Sequence, residues 1–250
     1  MEVARASSLM SMINENRRIQ SVERAMLLLE AIAAAGGEAR LVDLSCQLGL
    51  SKSTLHGLLN TLAAMGYVSR HGTRYVLGLR LRELAQPLAD ADAALRTVFA
   101  SALQELANRS NETCYLAVPC GTREYLYIDA VEGKGSLRVA SPRGRREGLT
   151  TSAIGKIFLA HDSNLARSLR RAGSLPASLE QELQSIKETG YALDLEGAEL
   201  GLNCLALPLR RQGHVVAALG IAGPSQRLRE PVLCKLATTF MRDMFDIIKL

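Results

Sequence analysis

Leu41-Val-Asp-Leu-Ser-Cys-Gln-Leu-Gly-Leu-Ser-Lys-Ser-Thr-Leu-His-Gly-Leu-Leu-Asn60 is the stretch on which the fold turns. Leu41, Leu44 and Leu48 recur at helical spacing and share one face of a short helix. Gly49 breaks that helix, and Ser51 offers an N-cap for the next. In this next helix Leu55, Leu58, Leu59 and Leu62 form one apolar stripe. Stepping 100° per residue turns Ser53, His56, Gly57 and Asn60 to the opposite side. Two short helices around a glycine turn, the second apolar behind and polar in front, match the helix-turn-helix pattern. Such a second helix fits the major groove of duplex DNA, where each base pair shows its own donor and acceptor pattern.

The flanks extend the pattern. Upstream, Ser21 can cap a helix carrying Val22, Ala25, Met26, Leu29, Ile32 and Ala33, which Gly36-Gly37 ends. Downstream, Tyr67 to Leu77 holds two β-prone runs around a tip at His71-Gly72 and reads as a hairpin. Three helices followed by a hairpin give the order of a winged helix-turn-helix over residues 19–80. Ser53, His56 and Asn60 are the candidates for base or phosphate contacts. Lys52 and Thr54, near the helix start, suit the DNA backbone, and Arg70 and Arg74 on the wing are candidates for contacts to phosphates or the minor groove. Gly57 sits mid-helix, where glycine costs about 1 kcal/mol against alanine. It either permits close approach to DNA or is tolerated.

Charge alone would not have located this face. Residues 1–80 hold nine Lys/Arg and six Asp/Glu, and the whole chain has a formal net charge of +5. Residues 1–18 read as a mobile N-terminal arm without the apolar core of a signal peptide. No apolar run approaches the ~20 residues of a membrane span, so no membrane partner is expected. The five cysteines, at 46, 114, 120, 204 and 234, are odd in number and form no C-x-x-C pair. A disulfide framework and a metal site are therefore not expected, and a reducing cytoplasm is the natural compartment.

Beyond the wing, a helical seam through Leu81, Leu84, Ala85 and Leu88 reads as a linker helix over 81–94, with Asp90 to Asp92 as a junction. A separate helix spans about Ala94 to Arg109. The remainder reads as α/β. Thr113–Val118 and Glu124–Val131 are expected strands, Leu137–Ala140 is a candidate third, and Cys204–Leu209 with Val215–Ala222 forms a hairpin around Gln212-Gly213. Helices are expected at Ser152–Ala160, Leu165–Arg171 and Leu179–Thr189 and from Pro231 onward. This layout suggests a mixed sheet covered by helices.

Several of these segments together resemble the IclR family of bacterial transcription regulators, over about residues 19–250. The likeness rests on Ile19-Gln-Ser-Val-Glu-Arg-Ala25, Gly49-Leu-Ser-Lys-Ser-Thr-Leu-His56, Gly66-Tyr-Val68 and Tyr75-Val-Leu-Gly78. It continues in Ser152-Ala-Ile-Gly-Lys156 with Leu159-Ala160, in Gly190-Tyr-Ala-Leu-Asp194, and in Gly201-Leu-Asn-Cys-Leu-Ala206. The resemblance implies an α+β chain: an N-terminal winged helix-turn-helix, a linker helix, and a C-terminal GAF/PAS-like α/β effector-binding domain over 95–250. It implies a homo-oligomer, dimer or tetramer, on a double-stranded DNA operator. It implies regulation of transcription, with repression favoured over activation, under control of a small effector such as a carboxylate, a sugar acid or an aromatic acid from a catabolic pathway. No cofactor is implied. Carried over residue by residue, the effector pocket involves Ala153, Ile154, Asp194, Leu202, Cys204, Gly220 and Ala222.

The chain departs from the family pattern at several points. Gly57 stands where Arg is common, and Gly220 and Ala222 stand where Ser is common. Only one acidic residue, Glu196, follows Asp194 closely. Thr150 replaces a usual aromatic or His, and Gly148 a usual Pro. Losing the serine hydroxyls predicts a roomier, less polar pocket.

Read for themselves, several residues keep two interpretations. Cys204 is either a buried small hydrophobe or a pocket wall. Asp194 orients a ligand hydroxyl or caps the following loop. Lys156 adds positive charge or is structural. Arg143, Arg145 and Arg146 are a solvated basic loop or draw in an anion. An enzyme with Cys204 or Cys114 as nucleophile needs a histidine base. No motif pairs either cysteine with His161 or His214, and His56 and His71 lie in the helix-turn-helix head, so no enzyme is expected.

Overall fold

The computed structural model describes residues 19–135 and 138–248. The arm expected over 1–18 lies outside the described residues. The chain divides into two compact units, one ending at Ala89 and one starting at Asp90.

The first unit contains α1 (Gln20–Ala34), β1 (Glu38–Arg40), α2 (Leu41–Leu48), α3 (Lys52–Ala64), β2 (Val68–His71) and β3 (Arg74–Leu77). Leu28, Ala31 and Ile32 of α1, Leu44 of α2 and Leu55, Leu59 and Leu62 of α3 meet in one core. Ala39, Val68 and Tyr75 close it from the sheet side. The sheet has three antiparallel strands in the order β1-β3-β2. β1 was not foreseen. Its Glu-Ala-Arg sequence has no strand pattern of its own, and pairing with Arg74 to Val76 of β3 makes it a strand. Gly78 is demanded by a backbone crossing. Its N–H donates to the Tyr67 carbonyl at 2.8 Å, and a Cβ there would lie 2.0 Å from the Gly66 carbonyl oxygen.

One helix, α4 (Arg80–Ser110), runs through the Asp90 to Asp92 region where two helices were expected. It also contains Pro87, which forfeits one backbone hydrogen bond inside the helix.

The second unit is a six-stranded sheet in the order β6-β5-β4-β9-β8-β7. Its strands are β4 (Thr113–Cys120), β5 (Glu124–Val131), β6 (Arg146–Gly148), β7 (Ala192–Leu195), β8 (Leu202–Arg211) and β9 (His214–Pro224). Every pairing is antiparallel, which corrects the expected mixed sheet. The reason lies in burial. Helices α4 and α8 (Glu230–Ile247) cover one face, through Phe99, Leu103 and Leu106 and through Leu233, Ala237 and Phe240. Helices α5 (Ala153–His161), α6 (Ser163–Arg171) and α7 (Ala177–Thr189) cover the other. Strands buried on both faces read as continuous apolar runs, and that pattern hides their direction. Leu205, Leu207, Leu219 and Ile221 point to the α4/α8 side, while Ala206, Ala218 and Ala222 point to the α5 side.

The third strand of this sheet is β6, not 137–140. Of the expected segment, residues 138–140 are irregular and 137 lies outside the described residues. The Val139 carbonyl is used as an acceptor for Thr113 Oγ1 at 2.7 Å.

His161, which ends α5, has its Nε2 buried without a hydrogen-bond partner among the described residues, and its Nδ1 lies 3.3 Å from Arg210. Burial first, then the cations Arg210 and Lys187, hold its pKa below the ordinary value of 6.5. The unfolded chain therefore takes up this proton before the folded one does. The stability tied to neutral His161 is present above the ordinary value and is lost as pH falls toward the lowered folded value. Urea denaturation of a His161→Gln variant should accordingly show a smaller loss of stability than the parent between about pH 7.5 and 5.5. Parallel curves would contradict this.

Candidate nucleic-acid interface and ligand-binding face

The reading helix is built from local rules. Gly49 takes the left-handed conformation (φ 64°) that ends α2. Ser51 is extended, and its Oγ accepts the Thr54 N–H at 3.2 Å, capping α3. With Leu55, Leu59 and Leu62 buried, Lys52, Ser53, His56, Gly57 and Asn60 are all exposed, and Thr54 is half-buried. The polar front deduced from the sequence is thus a single solvent-facing surface. A Cβ on Gly57 would meet nothing within 4 Å, so nothing in the fold requires glycine there.

The wing carries Arg70 and Arg74, both exposed. Arg74 Nη1 donates to Glu38 Oε1 at 2.6 Å, across the β1–β3 pair. Arg70 Nε donates to the Gly72 carbonyl at 3.0 Å, and its guanidinium lies 5.9 Å from the centre of the Tyr75 ring. The Tyr75 hydroxyl in turn lies 3.5 Å from His56 Nδ1. Tyr75 therefore links the reading helix to the wing, a role not legible in its sequence context beyond its place in a strand.

The seven residues expected at the ligand-binding face converge in the second unit. Asp194 of β7 is the register partner of Cys204 on β8, and Cys204 of Ala222 on β9. In the adjacent row, Gly220 of β9 stands between Ala206 of β8 and Tyr115 of β4. Leu202 opens β8 opposite Pro224. Ala153 and Ile154, in the first turn of α5, lie over this surface in the same core. Ser152 caps α5 by accepting the Gly155 N–H at 3.1 Å. Gly155 lets the helix sit close, since a Cβ there would lie 2.4 Å from the Leu149 carbonyl oxygen.

Two expectations change. The space at Gly220 is not open, because Ile154 Cδ1 lies 2.5 Å from where a Cβ on Gly220 would be. The room left by the missing serine is filled by this isoleucine. Two surface pockets, of about 400 and about 300 Å³, are lined by other residues altogether. Asp194 caps the following loop, its two oxygens accepting the N–H groups of Gly197 and Ala198 at 3.0 and 3.2 Å. Lys156 is structural in the same sense, donating to Glu182 Oε1 at 2.7 Å.

Cys204 and Cys114 are poor nucleophiles. Burial, aided by Asp194, Glu147 and Glu199, pushes the Cys204 thiol up to about 12. Burial likewise pushes Cys114 up to about 12. A thiol this far above neutrality is hardly ever ionised. Among the described residues no group of three or more His, Cys, Asp or Glu is placed to hold a metal ion, and no helix is long and apolar enough to cross a membrane.

Residues 21–72 match the IclR helix-turn-helix domain, and residues 89–242 match the bacterial transcriptional regulator IclR C-terminal domain. The chain belongs to the IclR family. It is 34% identical over 229 residues to the HTH-type transcriptional regulator XynR of Escherichia coli K12, covering 86% of this chain and 90% of that one. It is 30% identical over 228 residues to the transcriptional repressor IclR of the same organism, covering 85% and 83%. The solved structure of an IclR homolog from Microbacterium hydrocarbonoxydans, complexed with 4-hydroxybenzoate, shares the fold, with a TM-score of 0.65 at 22% identity over 90% of this chain and 99% of that one. This IclR-family chain is therefore a DNA-binding transcription regulator and not an enzyme.

The geometry of Gly57 yields a direct expectation for this regulator. Gly57→Ala should raise the stability of the free protein by about 0.5–1 kcal/mol, read by thermal or denaturant unfolding. A destabilised variant would show that the fold does need glycine here.

Proposed function

We propose that this regulator is an effector-controlled repressor that reads operator half-sites with α3. The observation that carries this reading is the exposure of Ser53, His56, Gly57 and Asn60 on the face opposite the buried leucines. In this reading Ser53, His56 and Asn60 meet base edges or phosphates, and Gly57 lets the helix approach closely. Lys52, Thr54, Arg70 and Arg74 hold the DNA backbone. Residues 19–80 read DNA, 81–94 link, and 95–250 bind the effector. The protein works in the cytoplasm, on double-stranded DNA operators.

The effector lies against Ala153, Ile154, Asp194, Leu202, Cys204, Gly220 and Ala222, between α5 and the sheet. The aromatic acid held by one structural neighbour supports a small acid as ligand class, with plain carboxylates and sugar acids as the other members. Binding it favours one arrangement of the protein and shifts operator affinity by about 1–3 kcal/mol, the usual size of such couplings. Self-association presents two reading helices about one DNA turn apart. Support for it comes from Leu84 and Leu88 of α4, 65% and 71% exposed at helical spacing, since exposed apolar seams of this kind commonly pair with a copy of themselves.

In mobility-shift titrations on a preferred duplex, His56→Ala and Asn60→Ala should each weaken binding by about 1–3 kcal/mol, roughly 5- to 150-fold. Binding to random-sequence DNA should change little. Equal losses on both DNAs would move these side chains to backbone contacts, and no loss on either would overturn the assignment.

A further inference from the structure

Four polar or aromatic side chains on the α5 side of the sheet have no part in the reading above. Tyr125 and Tyr127 point from β5 into the core beneath α5; Tyr125 is fully buried and Tyr127 nearly so. Both hydroxyls donate to one atom, Glu147 Oε2 on β6, at 2.6 and 2.8 Å, and the two phenol oxygens lie 2.9 Å apart. Tyr115 stands edge-on to Tyr127 with ring centres 5.2 Å apart, and Tyr125 stands edge-on to Tyr127 at 5.1 Å. Tyr115 is also the register partner of Gly220, which places this cluster beside the row of expected ligand residues.

Glu147 is unusual in what it lacks. Among the described residues its Oε1 takes no hydrogen bond, and no Lys or Arg approaches within 4 Å. Two of the three arginines of the basic loop around it are engaged elsewhere: Arg146 faces Glu124 at 3.7 Å and Arg143 faces Asp129 at 3.8 Å. A half-buried carboxylate without a counter-cation is costly unless hydrogen-bond donors surround it. Two phenols saturate one oxygen and leave the other as an acceptor. The charge acts on the same interior, because Glu147 and Asp194 both help to raise the Cys204 thiol. A bare carboxylate brought to this end would meet like charge, whereas a ligand hydroxyl would find an acceptor.

We propose that Tyr125, Tyr127 and Glu147 form a hydroxyl-recognising end of the effector pocket, and that the effector is a hydroxylated small molecule. This rests on the reading that the effector binds between α5 and the sheet. A ligand hydroxyl donates to Glu147 Oε1, with the phenols as neighbouring polar groups and the Tyr115 ring as a wall. Any acid group on the ligand points away from Glu147. Plain short-chain carboxylates are poor effectors for this chain.

The test uses the full chain in calorimetric titrations with pairs of compounds that differ only in hydroxyls: 4-hydroxybenzoate against benzoate, and gluconate against hexanoate. In at least one pair the hydroxylated member should bind about tenfold or more tightly than its partner, the scale of one hydrogen bond to a charged group. The pair that shows this tells a phenolic effector from a sugar-derived one. Glu147→Gln and Tyr127→Phe should each erase the preference while leaving the partner's binding unchanged. A merely structural clip between β5 and β6 predicts instead that these variants lower thermal stability and weaken both members alike, which would overturn the proposal. Equal binding within both pairs, or no saturable binding by either hydroxylated compound, would also overturn it. Ile154→Trp reports separately on the pocket itself. If it abolishes binding of both members of a pair that show no hydroxyl preference, the pocket stands and its hydroxyl end does not. If binding persists undisturbed, the pocket reading falls as well.

Discussion

Leu55, Leu59 and Leu62 are locked into the core of the first unit, and this burial fixes what α3 can show to solvent. Each buried leucine contributes about 1.5–3 kcal/mol. Rotating the helix to expose other residues would bring all three to water, so the angular position of the reading face is set by apolar packing rather than by polar contacts. The remaining devices refine it. Ser51 sets the residue at which the helix begins. The Gly78 crossing over Gly66 and Tyr67 ties the start and end of the wing together. Tyr75 then joins the two elements, lying close to His56 on the helix and beneath Arg70 on the hairpin.

The second unit solves a different problem, that of burying a sheet on both faces while leaving one face adaptable. The α4/α8 side is filled by Leu, Ile and Phe. The α5 side is lined near β8 and β9 by Ala206, Ala218, Gly220 and Ala222. Small residues there let α5 come close, and Ile154 occupies the hollow above Gly220. A ligand entering this face must displace or reuse that side chain. Such a device suits a sensor, because closed and occupied states then differ by one side chain's packing rather than by refolding.

Much of this was legible in the sequence, for identifiable reasons. The helices of the first unit and the 68–77 hairpin follow from local periodicity, the Ser51 cap and the glycine stops. β1 was invisible because Glu38-Ala-Arg40 becomes a strand only by pairing with residues 34–38 positions away. The direction of the large sheet was hidden because strands covered on both faces lose their alternation. The 137–140 run misled for the opposite reason, since Val139 is apolar for packing and lends its carbonyl to Thr113 instead of a neighbouring strand. For the ligand, the resemblance named one surface of the second unit. It could not show that Ile154 fills it, or that Tyr125, Tyr127 and Glu147 meet, since those contacts join neighbouring strands across a long stretch of chain. Asp194 shows the same limit: its caps on Gly197 and Ala198 need the folded loop to exist.

In the proposed regulator, apolar packing orients the reading helix, the small-residue face of the sheet receives the ligand, and the exposed side of α3 distinguishes one DNA sequence from another. The most direct measurement is selection of duplexes from a randomised library by the full-length protein, followed by sequencing of the retained DNA. The account predicts enrichment of two related half-sites, with centres about one helical turn apart. Retention of DNA without any enriched sequence would contradict it.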